Sequence, residues 1–193
     1  MYEYISGKII ERSPAHMIIE NNGLGYFINI SLTTFTALKD KNEATLLIHE
    51  NIREDAYNLF GFYDKAERIL FRHLISVSGI GSNTARMMLS SMPPEEVTTA
   101  IVTANTQQLT TIKGIGTKTA QRVIVDLKDK LGKQGDDEKL FSLTDNTVRD
   151  EALSALVMLG FAKVPSQKAV NKIMVSEPNS RVEEIIKQAL KML

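Results

Sequence analysis

The chain has 193 residues, 43% of them hydrophobic, no cysteine and a formal net charge of zero. That is enough for one large domain or roughly two to three small ones with real cores. It excludes disulfides and thiolate metal sites, and His16, His49 and His73 stand too far apart in sequence to form a ligand motif.

No leader of basic, apolar and small residues opens the sequence, and no apolar run nears the ~20 residues of a membrane span. A soluble, cytoplasmic protein with no membrane partner is expected. Charge is unevenly spread. Residues 1–63 carry five Lys/Arg against eight Asp/Glu, residues 64–132 nine against six, and residues 133–193 nine of each. Only the middle segment is net positive. The excess is small, so one copy would hold a polyanion weakly and lose it as salt rises, while oligomerisation would multiply the contacts.

Residues 4–10, 16–20, 26–30, 44–52 and 56–62 are short β-rich runs, broken by Ser13-Pro14, Asn21-Asn22-Gly23 and Lys39-Asp40-Lys41-Asn42. With a helical turn near residues 32–38, this pattern predicts a small closed barrel of the OB type. Phe60, Phe62 and Tyr63 fall at a strand end, where packing against a core is expected. Arg53-Glu54-Asp55 lies at the tip of a hairpin between the last two strands. Glu54 and Asp55 are either a solvated turn or, on a surface facing DNA, a pair that repels phosphates and parts strands.

Asp64 can cap a helix, with Glu67 three residues on and Ala66, Leu70, Leu74 and Val77 on one side. That helix runs into a phrase stated twice: Leu74-Ile75-Ser76-Val77-Ser78-Gly79-Ile80-Gly81, then Leu109-Thr110-Thr111-Ile112-Lys113-Gly114-Ile115-Gly116. Each copy reads as helix, tight hairpin, helix. Between them, Ala85, Met88, Leu89 and Met92 form an apolar stripe, Pro93-Pro94 ends it, Pro94-Glu95-Glu96 starts a connecting helix, and Thr106 is placed to cap the next. After the second hairpin Ala120, Val123, Ile124, Leu127 and Leu131 make the buried stripe.

A helix beginning right after Gly-Ile-Gly offers unpaired backbone N–H groups and the positive end of its dipole, with little side-chain bulk in the way. Phosphate is the natural guest, and main-chain donors read no base. The other reading is that Gly-x-Gly only turns one helix into the next. The candidate DNA contacts are Gly79, Gly81, Ser82, Asn83 and Thr84 in the first copy and Gly114, Gly116, Thr117, Lys118 and Arg122 in the second. Lys118 and Arg122 align with Asn83 and Met87, so the second hairpin is expected to bind more strongly.

Residues 133–146 are polar and lack an apolar stripe, which predicts a flexible linker. Three amphipathic helices are expected at 147–159, 165–174 and 180–193, the last with a capping box of Ser180 and Glu183. Met158-Leu159-Gly160-Phe161 resembles the loop that ubiquitin-associated-type domains use to bind proteins. Phe161 closing the bundle core is the companion reading.

Catalytic patterns fail. Gly114-Ile115-Gly116-Thr117-Lys118-Thr119 does not match a Walker loop, and Asp126 and Asp129 alternate with Lys128 and Lys130 as on a solvated helix face. No enzyme, cofactor or metal site is expected.

The order of parts resembles the RuvA family of bacterial Holliday-junction-binding proteins over the whole chain. Arg53-Glu54-Asp55 with Leu59-Phe60-Gly61-Phe62, the two Gly-Ile-Gly hairpins and Ala155-Leu156-Val157-Met158-Leu159-Gly160-Phe161 carry the likeness. The resemblance implies an α+β multidomain fold: OB barrel at 1–63, tandem helix-hairpin-helix at 64–132, linker at 133–146 and a UBA-like bundle at 147–193. It implies a homotetramer or octamer on four-way junction DNA, with Glu54 and Asp55 as an acidic pin. It also implies recruitment of the hexameric ATPase RuvB through Leu156, Leu159, Phe161 and Leu190, and the resolvase RuvC as a further partner. A structure-specific nuclease or helicase subunit with its own active site is the alternative. Family members often carry lysine where this chain has Asn83 and Thr117, so a shallower salt dependence of DNA binding than in a lysine-bearing relative is expected. Equal slopes in a log-log salt titration would contradict it.

Overall fold

The computed structural model describes residues 1–140, 144–177 and 180–193, without the side chains of residues 133–140 and 144–147. Strands β1 (Tyr4–Arg12), β2 (His16–Asn21) and β3 (Leu24–Ile30) come first, followed by helix α1 (Leu32–Ala37), then β4 (Glu43–Arg53) and β5 (Ala56–Phe62). They close a barrel in the order β1-β2-β3-β5-β4. All its neighbours are antiparallel except β3 and β5. Alternation explains the interior: Met17 and Ile19, Ile28 and Ile30, and Leu46 and Ile48 all point inward and are fully buried.

Gly61 lies at the parallel seam, opposite Ile30. A Cβ there would stand 2.5 Å from Ile28 Cγ2 and 2.9 Å from Leu46 Cδ1, so the barrel closes only over a glycine. Gly61→Ala is expected to cost about 1–3 kcal/mol by overpacking, measured by urea unfolding. An unchanged midpoint would contradict the contact.

The helices are α2 (Lys65–Ile75), α3 (Ser82–Ser91), α4 (Pro94–Val102), α5 (Thr106–Thr110) and α6 (Thr117–Leu140). Their core takes in Phe60 and Phe62 from β5, which tilt against Phe71 at centroid distances of 5.3 and 4.8 Å. Residues 1–132 accordingly form one compact unit. Tyr63 departs from expectation. It is exposed, with Lys41 Nζ 4.6 Å above its ring, because the strand has ended and its side chain no longer follows the inward rungs.

Asp64 caps α2 by accepting from the Glu67 N–H at 2.7 Å. The Glu67 side chain turns inward instead of back to the cap. Thr34 Oγ1 donates to its Oε2 at 2.6 Å and Ser31 Oγ donates to its Oε1. Burial pushes the Glu67 carboxyl up, while the two hydroxyl bonds draw it down. Ala66 is exposed, since the buried face runs through Glu67, Leu70, Phe71 and Leu74. Nearby, Arg68 Nη2 bonds Glu3 Oε1 at 2.5 Å and holds that exposed carboxyl below its usual range. Asn105, not Thr106, caps α5, accepting from the Gln108 N–H at 3.1 Å.

Helix α6 continues to Leu140, into the stretch expected as a linker. Straight-chain charged residues favour helix even without an apolar stripe. Residues 141–143 of that expected linker lie outside the described residues.

The second unit, residues 133–193, contains α7 (Thr144–Met158), α8 (Lys163–Ser176) and α9 (Val182–Ala189). They pack around Ala152, Leu156, Val170, Ile173 and Ile185. The start of α9 lies past the expected Ser180 box. The Arg181 N–H donates to Glu184 Oε2 at 3.1 Å, while Ser180 Oγ donates to Glu177 Oε2 at 3.0 Å. Ser180 stays outside because its hydroxyl is committed to the residue before the turn.

Candidate nucleic-acid interface

The two hairpins are built alike, bond for bond. In the first, Ser76, Val77 and Ile80 N–H donate to His73, Leu74 and Val77 carbonyls; in the second, Thr111, Ile112 and Ile115 donate to Gln108, Leu109 and Ile112. Gly79 and Gly114 take φ of +92° and +89°, which side chains rarely adopt. Ile80 and Ile115 are buried and pin each turn to the core.

Gly81 is the N-cap of α3, in extended backbone and with no side-chain cap. Ala85 N–H and Ala120 N–H reach the Gly81 and Gly116 carbonyls at 2.9 Å each. A Cβ placed on Gly81, Gly114 or Gly116 would meet nothing within 4 Å. Two helix starts therefore face open space with backbone donors, the arrangement that accommodates a phosphate.

The flanking side chains divide differently from the sequence expectation. Asn83, Thr117 and Lys118 are exposed and Thr84 half-buried beside the hairpins. Ser82 is buried, and Asn51 Nδ2 donates to its Oγ at 3.1 Å. Arg122, expected at the second hairpin, reaches the first: its Nη1 donates to the Ser78 carbonyl at 2.9 Å. The bond ties the start of α6 to the loop that follows α2. Pairing by repeat position misses this, because the contact joins residues of different copies. The cation counted for the second copy thus braces the first, and the expected inequality is reduced to Lys118 against Asn83.

Glu54 and Asp55 form the two-residue turn beyond the last β4–β5 pair, Arg53 with Ala56, and both are exposed. A groove of about 280 Å³ separates this turn from the first hairpin, lined by Asn51, Arg53, Asp55, Asn58, Asn83 and Thr84 among others. Asp55 of the acidic turn and one hairpin thus border a single groove of the same unit.

In the second unit the Met-Leu-Gly-Phe loop is a helix terminator. Phe161 N–H donates to the Leu156 carbonyl at 3.1 Å and Gly160 N–H to Val157 at 3.0 Å, with Gly160 at φ +97°. This is a Schellman cap. Leu159 and Leu190 are 61% and 42% exposed and Phe161 is half-buried, but Leu156 is fully buried. Its position on the apolar stripe of α7 places it inside the bundle, out of reach of any partner. Among the described residues, no helix is long and apolar enough to cross a membrane.

A closed OB-like barrel sharing a core with paired helix-hairpin-helix units, followed by a helical tail unit, defines a tandem helix-hairpin-helix protein of the α+β class. Residues 1–61 match the family described as RuvA N terminal domain, 71–129 the SAM-like helix-hairpin-helix tandem, and 147–193 the RuvA C-terminal domain. Proteins named Holliday junction branch migration complex subunit RuvA are similar over their full length. The Bacteroides fragilis protein is 54% identical and that of Christiangramia forsetii 49%, each covering 100% of both chains. The chain belongs to the RuvA family.

Proposed function

We propose that this chain is the non-catalytic DNA-binding subunit of a Holliday junction branch migration complex, acting in the cytoplasm in recombinational repair. The observation that carries the reading is the pair of matched, unobstructed hairpins in one unit with the acidic turn. Gly79, Gly81, Gly114 and Gly116 offer main-chain donors to DNA backbones. Thr84, Asn83, Thr117 and Lys118 add side-chain contacts, and Arg122 serves as brace and local positive charge. Such contacts are blind to sequence, so junction preference comes from elsewhere. Four copies around a four-way junction would align the hairpins with its arms and gather the Glu54-Asp55 turns near the crossover, where they repel phosphates and keep strands apart. A second tetramer on the opposite face would complete an octamer.

Leu159, Phe161 and Leu190 are the side chains offered to RuvB, the ATPase partner, with Leu156 supporting them from within. RuvC would act on the junction so held. The C-terminal unit, joined through residues 133–146, carries that recruitment.

Gel shifts comparing a four-way junction with linear duplex test the reading. Preference for the junction is expected; equal affinity would sink junction specificity, and no binding would sink the DNA role. Metal-dependent cutting of branched DNA by the pure chain, abolished by changing Asp126 or Asp129, would favour the nuclease alternative instead.

A further inference from the structure

The outward face of β4 carries Leu47, His49, Asn51 and Arg53 at successive alternate positions. Each of the last three has a different neighbour. His49, paired with Phe60, meets the Phe71 ring edge-on at 5.3 Å. Asn51, paired with Asn58, donates to Ser82 Oγ at 3.1 Å. Arg53, paired with Ala56, precedes the Glu54-Asp55 turn.

Ser82 is the first residue of α3, immediately after the Gly79-Ile80-Gly81 hairpin. The Asn51 amide therefore joins the strand that carries the acidic turn to the helix start that would carry a phosphate. It crosses the groove between them, which is lined by both Asn51 and Ser82. We infer that Asn51 is a positioning residue, whose bond to Ser82 fixes the acidic turn relative to the first hairpin. This rests on the reading of the hairpins as a DNA grip and of Glu54 and Asp55 as strand-parting charges.

The physical reason is leverage. An end of two-stranded ribbon has little stiffness of its own. Held at Asn51, the turn projects three residues, about 10 Å, beyond its anchor. With that bond removed the nearest anchor is Glu50, whose Oε1 accepts from the Tyr2 N–H at 2.9 Å, and the projection grows to four residues, about 14 Å. A pair of carboxylates acts on a crossover only where the ribbon holds it, whereas the hairpins grip a backbone through groups of their own. Losing Asn51 should therefore spare duplex binding and impair what distinguishes a junction.

The test uses the full chain, a linear duplex and a four-way junction with 2-aminopurine at the crossover. Asn51→Ala is expected to leave duplex affinity at the wild-type value and to lower the melting midpoint by only the few degrees that one lost hydrogen bond costs. It should reduce the junction-over-duplex affinity ratio about fivefold, the worth of one hydrogen bond, and reduce the 2-aminopurine brightening that reports unpaired strands. Ser82→Ala is the second variant, removing the same bond from the other side. It should match the junction defect, and the double variant should add nothing further. Wild-type ratios and brightening in both single variants would overturn the positioning role. So would equal losses on duplex and junction, which would place Asn51 in the grip or only in the fold. If the wild-type chain itself shows no junction preference, the underlying functional reading falls first and takes this one with it.

Discussion

Aspartate at both helix starts, Gly81→Asp with Gly116→Asp, is expected to reduce DNA affinity about 100-fold or more while leaving the fold intact. Gly81 has φ −87° and ψ 168°, extended backbone open to any residue, and neither glycine has a neighbour that a Cβ would strike. Aspartate is a preferred N-cap, and its carboxylate takes the unpaired N–H groups at the helix start. Local stability is thus kept or raised, by a few tenths of a kcal/mol per helix. The same carboxylate occupies the position proposed for phosphate and repels it. Anisotropy titrations of duplex and junction, beside a thermal melt, give the two readings. Unaltered affinity with an unaltered melt would show that the hairpins are only turns.

Replacing Glu67 by alanine is expected to destabilise the 1–132 unit by about 2–4 kcal/mol, because two hydroxyls at the start of α1 donate to its buried carboxylate. Ser31 Oγ accepts from the Thr34 N–H at 3.0 Å and Thr34 Oγ1 accepts from the Tyr63 N–H at 3.0 Å. Each hydroxyl thereby has its hydrogen left to donate, and both hydrogens go to Glu67. Without the carboxylate both lose their acceptor in a buried site. Glu67→Gln presents an amide group to one of them and should cost about 1 kcal/mol.

The sign of the pH effect follows from burial. Folding raises the Glu67 pKa, so the folded state binds this proton more tightly than the unfolded chain. Its contribution is most favourable below the ordinary carboxylate range and is lost as pH rises through the raised folded value. Glu67→Gln should therefore lose less stability than wild type between mildly acidic and neutral pH, measured by urea midpoints across that range. A wild-type slope in the variant would contradict this assignment.

Much of the architecture can be read along the chain because it rests on local periodicity. All five strands and the short helix near residue 32 are where alternation and turn residues place them. The α6 stripe from Ala120 to Leu131 is buried at each expected position. The doubled Gly-Ile-Gly yields two hairpins of one geometry, since a glycine at positive φ flanked by a buried isoleucine is a local solution to a local turn. Helix ends were less legible. Asn105 caps where Thr106 was expected, and α9 begins past Ser180, because neighbouring polar residues compete for the same N–H groups within an energy difference of a few tenths of a kcal/mol.

The order of parts, the barrel, the paired hairpins and the acidic turn between two strands all follow from the pattern along the chain. Which side chain serves which part follows from the packing of distant elements. Glu67 was legible as a capping residue and became a buried acceptor for Ser31, 36 positions away. Arg122 belongs by repeat to the second hairpin, yet crosses 44 positions to brace the first. Ser82 looked like a phosphate ligand and is held instead by Asn51, and Leu156 passed from partner surface to core. Periodicity tells which face of an element is buried, because that depends on its own twist. The identity of the group across from it depends on how elements pack, and a long polar side chain can satisfy itself with any partner that packing brings within hydrogen-bond reach.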